Sequence, residues 1–93
     1  NVGGEKVYPQ EVENIILEME NILDVTVYGE KNAITGNIVC ATVCLNQPEE
    51  KKIVVKKIKK FCRERMSSYM IPVKISIMEN AQYNTRFKKI RHN

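Results

Sequence analysis

The sequence predicts an α+β fold: a small three-stranded sheet with two main helices packed on it, an N-terminal hairpin and a C-terminal loop. Two long segments repeat apolar residues at three- and four-residue spacing, as amphipathic helices do. Residues 37–45 and 73–78 instead alternate with the two-residue period of strands. A chain of 93 residues forms one domain with one modest core.

The first predicted element is a glycine turn, followed by a short extended segment and a helix. Gly3 and Gly4 accept positive φ and let a ligand or another chain approach the backbone. Pro9 suits the first helical position, where its missing N–H would be unpaired anyway. Glu11 and Glu13 follow in the first turn, next to the positive end of the helix dipole. The helix is expected to run to about residue 23, and its apolar stripe would be Val12, Ile15, Ile16, Met19, Ile22 and Leu23.

Two strands joined by a polar loop are expected next. Residues 25–28 form a short strand that Gly29 would stop, and residues 30–36 are predicted to be the loop. Residues 37–45 are apolar or small on both faces, which predicts a central strand covered on each side. The short connection predicts that the two strands are antiparallel.

The second helix is predicted from the turn at residues 46–50 to about residue 67. Pro48 and the carboxylates after it are typical of a helix start. Pro72 disfavours helical geometry at Ile71 and so ends this region. A third strand follows at residues 73–78, and residues 79–93 are polar, irregular and basic at the end. The buried stripe of the second helix would be Val54, Val55, Ile58, Phe61, Cys62 and Met66.

Composition excludes several classes of protein. No apolar run approaches the length that spans a bilayer, and no signal-peptide pattern opens the chain. The odd number of cysteines, three, argues against a disulfide framework and favours buried reduced thiols in a cytoplasmic protein. We expect no metal site, because Cys40 and Cys44 would need two further ligands and His92 is the single histidine. The chain begins inside a motif and without Met, so we interpret it as a fragment of a larger polypeptide.

The opening segment resembles a known family, the adenylate-forming enzymes, which include acyl- and aryl-CoA ligases, peptide-synthetase adenylation domains and luciferases. Residues 4–13 are similar to the segment that opens the small C-terminal domain of these enzymes. Residues 27–29, 39–43 and 69–73 follow in the order typical of that domain, so the resemblance covers essentially the whole chain. The positions that match in the opening segment are Gly4, Val7, Pro9, Glu11, Val12 and Glu13.

The resemblance also implies a catalytic lysine near the end of the chain. Thr85, Lys89 and Ile90 fit the family's motif of a threonine, two residues, Gly-Lys and an aliphatic residue. Lys88 stands where the family usually has glycine, so Lys88 is the alternative to Lys89. Both reactants of adenylation, a carboxylate and an ATP α-phosphate, are anionic, and a lysine ammonium stabilises the charge that develops between them.

In this family the small domain is a mobile lid on a large N-terminal domain that holds ATP and the acid. The resemblance implies two lid orientations, one for adenylation and one for thiol transfer. In the second, Gly3, Gly4, Glu5 and Lys6 would line the entry of the thiol. The implied substrates are a carboxylic acid, Mg-ATP and coenzyme A, and the implied partner is the protein's own N-terminal domain. The fragment alone is expected to be inactive.

Other functions compete with this interpretation. Residues 3–9 look more like CoA ligases than peptide-synthetase domains, so a carrier protein is the alternative thiol acceptor. The basic second helix and tail, with a net charge of +4, suggest a small RNA-binding module. Against it, the aromatic residues form no paired stacking platform, and the helix lysines are expected to point around the helix rather than along one stripe. A regulatory or assembly domain is a third class, supported by size alone.

Overall fold

The computed structural model describes residues 2, 4–34 and 36–78, and within them it contains the predicted three strands and two main helices. The C-terminal loop expected beyond residue 78 lies outside the described residues. Among the described helices, none is long and apolar enough to cross a bilayer. The elements in chain order are α1 (Pro9–Ile16), β1 (Ile22–Asn32), β2 (Gly36–Leu45), α2 (Lys51–Arg63), a 3₁₀ turn (Ser68–Met70) and β3 (Lys74–Ile77).

Strand β2 lies at the centre of the sheet, as its two apolar faces predicted. It pairs antiparallel with β1, from Ile22 opposite Leu45 to Asn32 opposite Gly36. On its other side it pairs parallel with β3, from Cys40 opposite Lys74 onward. A parallel pair requires a crossover rather than a tight turn, and α2 is that crossover. The sheet order is therefore β1-β2-β3.

Both helices pack on one face of the sheet and form a single hydrophobic cluster with it. Val12 and Ile16 of α1, and Ile58 of α2, have no exposed surface. They meet the face of β2 that carries alternate residues from 39 to 45, as the strand period predicted. The buried members of the cluster are Val12, Ile16, Ile22, Val25, Val27, Val39, Ala41, Val43, Leu45, Val54, Ile58, Cys62 and Ile75.

Helix α1 is shorter than its sequence pattern predicted. It ends at Ile16, and residues 22 and 23 belong to β1 instead. Asn21 starts the strand from a left-handed backbone conformation, with φ of 69°, which asparagine adopts more readily than most residues. Its side-chain amide donates to the Gln47 carbonyl at 3.0 Å and accepts from the Gln47 N–H at 2.6 Å. These contacts with the turn before α2 are distant in sequence, so the local pattern did not reveal them.

Gly29 does not stop β1, and the strand runs to Asn32. Gly29 pairs with Val39 inside the ladder, so the predicted loop at residues 30–36 is mostly strand and its turn is short. Farther along the chain, α2 begins at Lys51 and ends at Arg63, a few residues inside the predicted bounds. Strand β3 begins at Lys74, and Val73 before it is 59% exposed rather than buried.

All three cysteines are buried thiols outside any disulfide, as the sequence predicted. Burial raises the pKa of Cys62 to about 11. The pKa of Cys40 is also raised, first by burial and then by the nearby Glu30 carboxylate. Because the thiolate is the reactive form, both groups act as small apolar core residues at neutral pH rather than as nucleophiles.

Replacing Ile58 with alanine tests the shared core. Ile58 is fully buried between α2 and the sheet, so Ile58→Ala is expected to lower the free energy of unfolding by about 3 kcal/mol. Ile53, on the same helix and 45% exposed, is the matched control, and Ile53→Ala is expected to cost less than about 1 kcal/mol. Urea denaturation measures both. Equal losses in the two variants would contradict the packing of α2 on the sheet.

Candidate functional site

The N-terminal glycine segment forms a tight turn. The Val2 N–H donates to the Glu5 carbonyl at 2.7 Å, and the Glu5 N–H donates to the Val2 carbonyl at 2.9 Å. Gly4 has φ of +85°, a conformation that side chains of L-residues rarely adopt. A Cβ at Gly4 would meet nothing within 4 Å. The requirement for glycine is therefore conformational, and the backbone on the outer side of the turn is open to a ligand.

The structure brings three of the predicted site residues together. Gly4, Glu5 and Lys6 are consecutive and exposed at the turn, which confirms the expected hairpin without testing its role. Gly3, the fourth predicted residue of this group, lies outside the described residues. Lys88 and Lys89 lie outside them as well, so their predicted role stays a prediction.

An open groove of about 290 Å³ lies beside the turn. One wall comes from Val2, Val7 and Pro9 of the N-terminal segment, and the other from the β1–β2 hairpin around Gly29. Val2 and Val7 are half-buried and pack against the core cluster. The site is thus an exposed glycine backbone next to an apolar groove. The groove is not evident from the sequence, because its two walls come from segments that are distant along the chain.

Glu13 attaches α1 to the sheet. Strand β1 is one of the two edge strands of the sheet that the structure describes, so alternate backbone N–H groups along it lack a strand partner in that sheet. The N–H of Val27, a buried residue, donates to the Glu13 carboxylate at 2.8 Å. From the sequence, Glu13 was expected to interact with the helix dipole, but its side chain instead accepts a hydrogen bond from the edge of β1. The bond fixes α1 against β1 and thereby places Pro9 and the turn before it beside the groove.

Two charged residues, Glu30 and Lys31, line the groove. Glu30, which lines it, accepts a 2.8 Å hydrogen bond from the Lys74 ammonium. This bond, and then the charge of Lys74, lower the pKa of Glu30, and the same pair raises the pKa of Lys74. Lys6 and Lys31 form no ion pair within the described part of the chain. The Glu13 carboxylate is bonded to the N–H of Val27, which also lines the groove, so basic groups do not outnumber acidic ones there.

Comparison with known proteins relates this arrangement to a family. The model of the AMP-binding enzyme C-terminal domain family matches residues 11–89. A 2-succinylbenzoate–CoA ligase of Geobacillus sp. (strain WCH70) is 31% identical over 90 residues, which is 97% of this chain and 18% of that protein. The mitochondrial medium-chain acyl-CoA ligase ACSF2 of Danio rerio is 34% identical over 70 residues, 75% of this chain and 11% of that protein. The chain thus spans less than a fifth of the length of these relatives.

The fold of this chain is similar to part of a solved structure. A double mutant of the o-succinylbenzoate CoA synthetase (MenE) of Bacillus subtilis, bound with its product analogue OSB-NCoA, superposes with a TM-score of 0.74 at 26% identity. The superposition covers 85% of this chain and 16% of that one.

Removing the Glu13 carboxylate tests the attachment of α1. Glu13→Ala leaves the Val27 N–H without its partner and is expected to lower the free energy of unfolding by about 1 to 2 kcal/mol. Glu13→Gln keeps an acceptor oxygen and should lose less. Glu11→Ala is the control, since Glu11 is exposed in the first turn and contributes only about 0.3 to 1 kcal/mol. Chemical denaturation measures the free energy of unfolding of each variant. If Glu13→Ala loses no more stability than Glu11→Ala, Glu13 does not attach α1 to the sheet.

Proposed function

The chain belongs to the AMP-binding enzyme C-terminal domain family, and from that premise we propose that it is the mobile lid domain of an ATP-dependent, AMP-forming carboxylic acid:CoA ligase. The observation that carries the proposal is the family match over residues 11–89. The relatives are named as 2-succinylbenzoate–CoA and medium-chain acyl-CoA ligases, which supports a carboxylic acid and CoA as substrates. In this proposal residues 1–93 form a single domain, part of a longer ligase.

The first half-reaction is adenylation of the acid. Its carboxylate attacks the α-phosphorus of Mg-ATP, an oxygen–phosphorus bond forms and pyrophosphate leaves. We assign the stabilising cation to Lys89, with Lys88 as the alternative. A lysine ammonium acts as a compact point charge between two anionic reactants, where negative charge develops in the transition state. This assignment rests on the sequence motif.

The second half-reaction is attack of the CoA thiol on the acyl carbon, with AMP as the leaving group. We assign guidance of the thiol arm to the turn of Gly3, Gly4, Glu5 and Lys6. The open backbone at Gly4 and the adjoining valine-lined groove suit a narrow arm with amide and methylene groups. Lys31, which lines the groove, would attract a phosphate of CoA.

The domain must move if it presents the catalytic lysine in the first half-reaction and the glycine turn in the second. The proposed partner is the protein's own N-terminal domain, which would hold ATP and the acid, and the lid would present the lysine first and the glycine turn second. A cytoplasmic location belongs to the same proposal. The comparisons support neither a carrier protein as acceptor nor an RNA-binding module.

The lysine assignment is tested on the whole protein that carries this chain. ATP–pyrophosphate exchange is measured over a panel of acids that includes 2-succinylbenzoate and medium-chain fatty acids. Lys89→Ala is expected to reduce exchange by about 100-fold or more, because it removes charge stabilisation in the transition state. Lys88→Ala is the matched control and should change exchange little. Thioester formation from pre-made acyl-adenylate should survive in both variants.

Two other outcomes would change the account. If Lys88→Ala is the damaged variant, the ligase function stands and the lysine is the preceding residue. If no acid supports exchange and neither lysine matters, the proposed function is wrong.

A further inference from the structure

Helix α2 carries a concentration of positive charge that the proposed ligase chemistry does not use. Between Lys51 and Arg63 the helix contains no carboxylate. Its cationic residues are Lys51, Lys52, Lys56, Lys57, Lys59, Lys60 and Arg63.

Five of these cations lie on one side of the helix. Their spacing from the first is four, seven, eight and eleven residues, which places them along one flank at 3.6 residues per turn. The flank is about 16 Å long, at a rise of about 1.5 Å per residue. We call it the basic flank; its members are Lys52, Lys56, Lys59, Lys60 and Arg63.

The other two cations, Lys51 and Lys57, lie off the flank, so the lysines do point around the helix, with five of the seven cations on one side. Lys57 lies away from the basic flank and is paired with the Glu49 carboxylate. The buried side of the helix is formed by Val54, Ile58 and Cys62. Most of the positive charge of the helix therefore lies on one outward side.

The basic flank is unpaired in the part of the chain that the structure describes. The ion pairs there use three other cations, Lys57, Lys74 and Arg65. Within the flank, Lys52 and Lys56, Lys56 and Lys60, and Lys59 and Arg63 are four residues apart. Like charges at this spacing destabilise a helix. The flank thus lowers helix stability, and an external anion would relieve the repulsion.

Apolar surface adjoins the positive charge. Ile53 is 45% exposed at the N-terminal end of the flank. It lies in a shallow open depression of about 550 Å³ whose wall is mostly apolar. The depression is lined by Lys51, Lys52, Ile53, Val55 and Lys56. Exposed apolar surface next to lysines favours contact with an amphipathic anion over contact with water.

We propose that the basic flank binds the surface of a membrane containing anionic lipids. Four of its five cations are lysines, which act as point charges and match the diffuse charge of a lipid surface rather than one fixed phosphate. Its members are spread along one face of a single helix, and the lysine stems and Ile53 can contact the interface while the ammonium groups meet headgroups. The flank contains no aromatic residue, which disfavours single-stranded nucleic acid as the occupant. None of the five residues belongs to the glycine turn or its groove, so this contact is independent of the ligase proposal.

The test is co-sedimentation of the whole protein with vesicles of phosphatidylcholine alone, or of phosphatidylcholine mixed with phosphatidylglycerol. Binding is expected only to the anionic vesicles, and it should weaken as salt rises. Lys56→Gln/Lys60→Gln should lower partitioning about 30-fold, since each lysine near an anionic surface contributes about fivefold. Lys57→Gln/Arg65→Gln removes the same charge from cations already paired with Glu49 and Glu64, and should bind nearly as well as the wild type. Thermal unfolding of both variants checks that the fold is retained.

The competing outcomes are distinct. No binding to anionic vesicles at low salt, or equal losses in the two double variants, would overturn the proposal. Parallel measurements with polyglutamate and with RNA cover other polyanions. If either binds through Lys56 and Lys60 while vesicles do not, the flank recognises an acidic protein or a nucleic acid, and the membrane proposal is wrong.

Discussion

Hydrogen bonding on both sides of β2 is the constraint on which the rest of the structure depends. Its parallel pairing with β3 requires a crossover, so α2 must lie over the sheet. Its antiparallel pairing with β1 makes the long hairpin that forms one wall of the groove. Alternate residues of β2 are buried against both helices, which places the helices on the same face. Gly4 in the glycine turn and most of the basic flank of α2 are left exposed.

The position of the candidate site depends on a few contacts that hold the first residues of the chain against the sheet and helices. Glu13 accepts from the edge of β1 and holds α1, and Pro9 starts that helix directly after the extended segment. Val2 and Val7 then pack beside the core, so the turn between them is held next to the groove while Gly4 stays open. The proposed guidance of a thiol requires such a turn to be held in place on a lid domain that moves as a unit. The three cysteines are buried and contribute to apolar packing.

Much of the fold was predictable because its elements have clear periods. The alternation in β2 and the stripe of α2 predicted the core face and most of its members. The end of α1 was not predictable, because Ile22 and Leu23 fit a helical stripe as well as a strand. Asn21 favours the strand, because its side chain hydrogen-bonds to Gln47 and Glu49, which are 26 and 28 residues away. The groove and the pairing role of Glu13 likewise depend on residues distant in sequence. The family followed from motif order, whereas the role of Lys89 rests on the motif alone.

The most direct test of the central claim, that the glycine turn serves thiol transfer, uses two glycines with the same backbone demand. Gly4 and Gly36 have φ of +85° and +90°, and a Cβ added at either would meet nothing within 4 Å, so alanine strains both turns similarly. In the whole protein, Gly4→Ala is predicted to slow CoA thioester formation from pre-made acyl-adenylate about tenfold, with ATP–pyrophosphate exchange unchanged. Gly36→Ala, at the tip of the β1–β2 hairpin beside the groove, introduces the same backbone strain and should slow thioester formation much less than Gly4→Ala, with exchange unchanged. Equal effects of the two substitutions, or a loss of exchange in Gly4→Ala, would contradict the account.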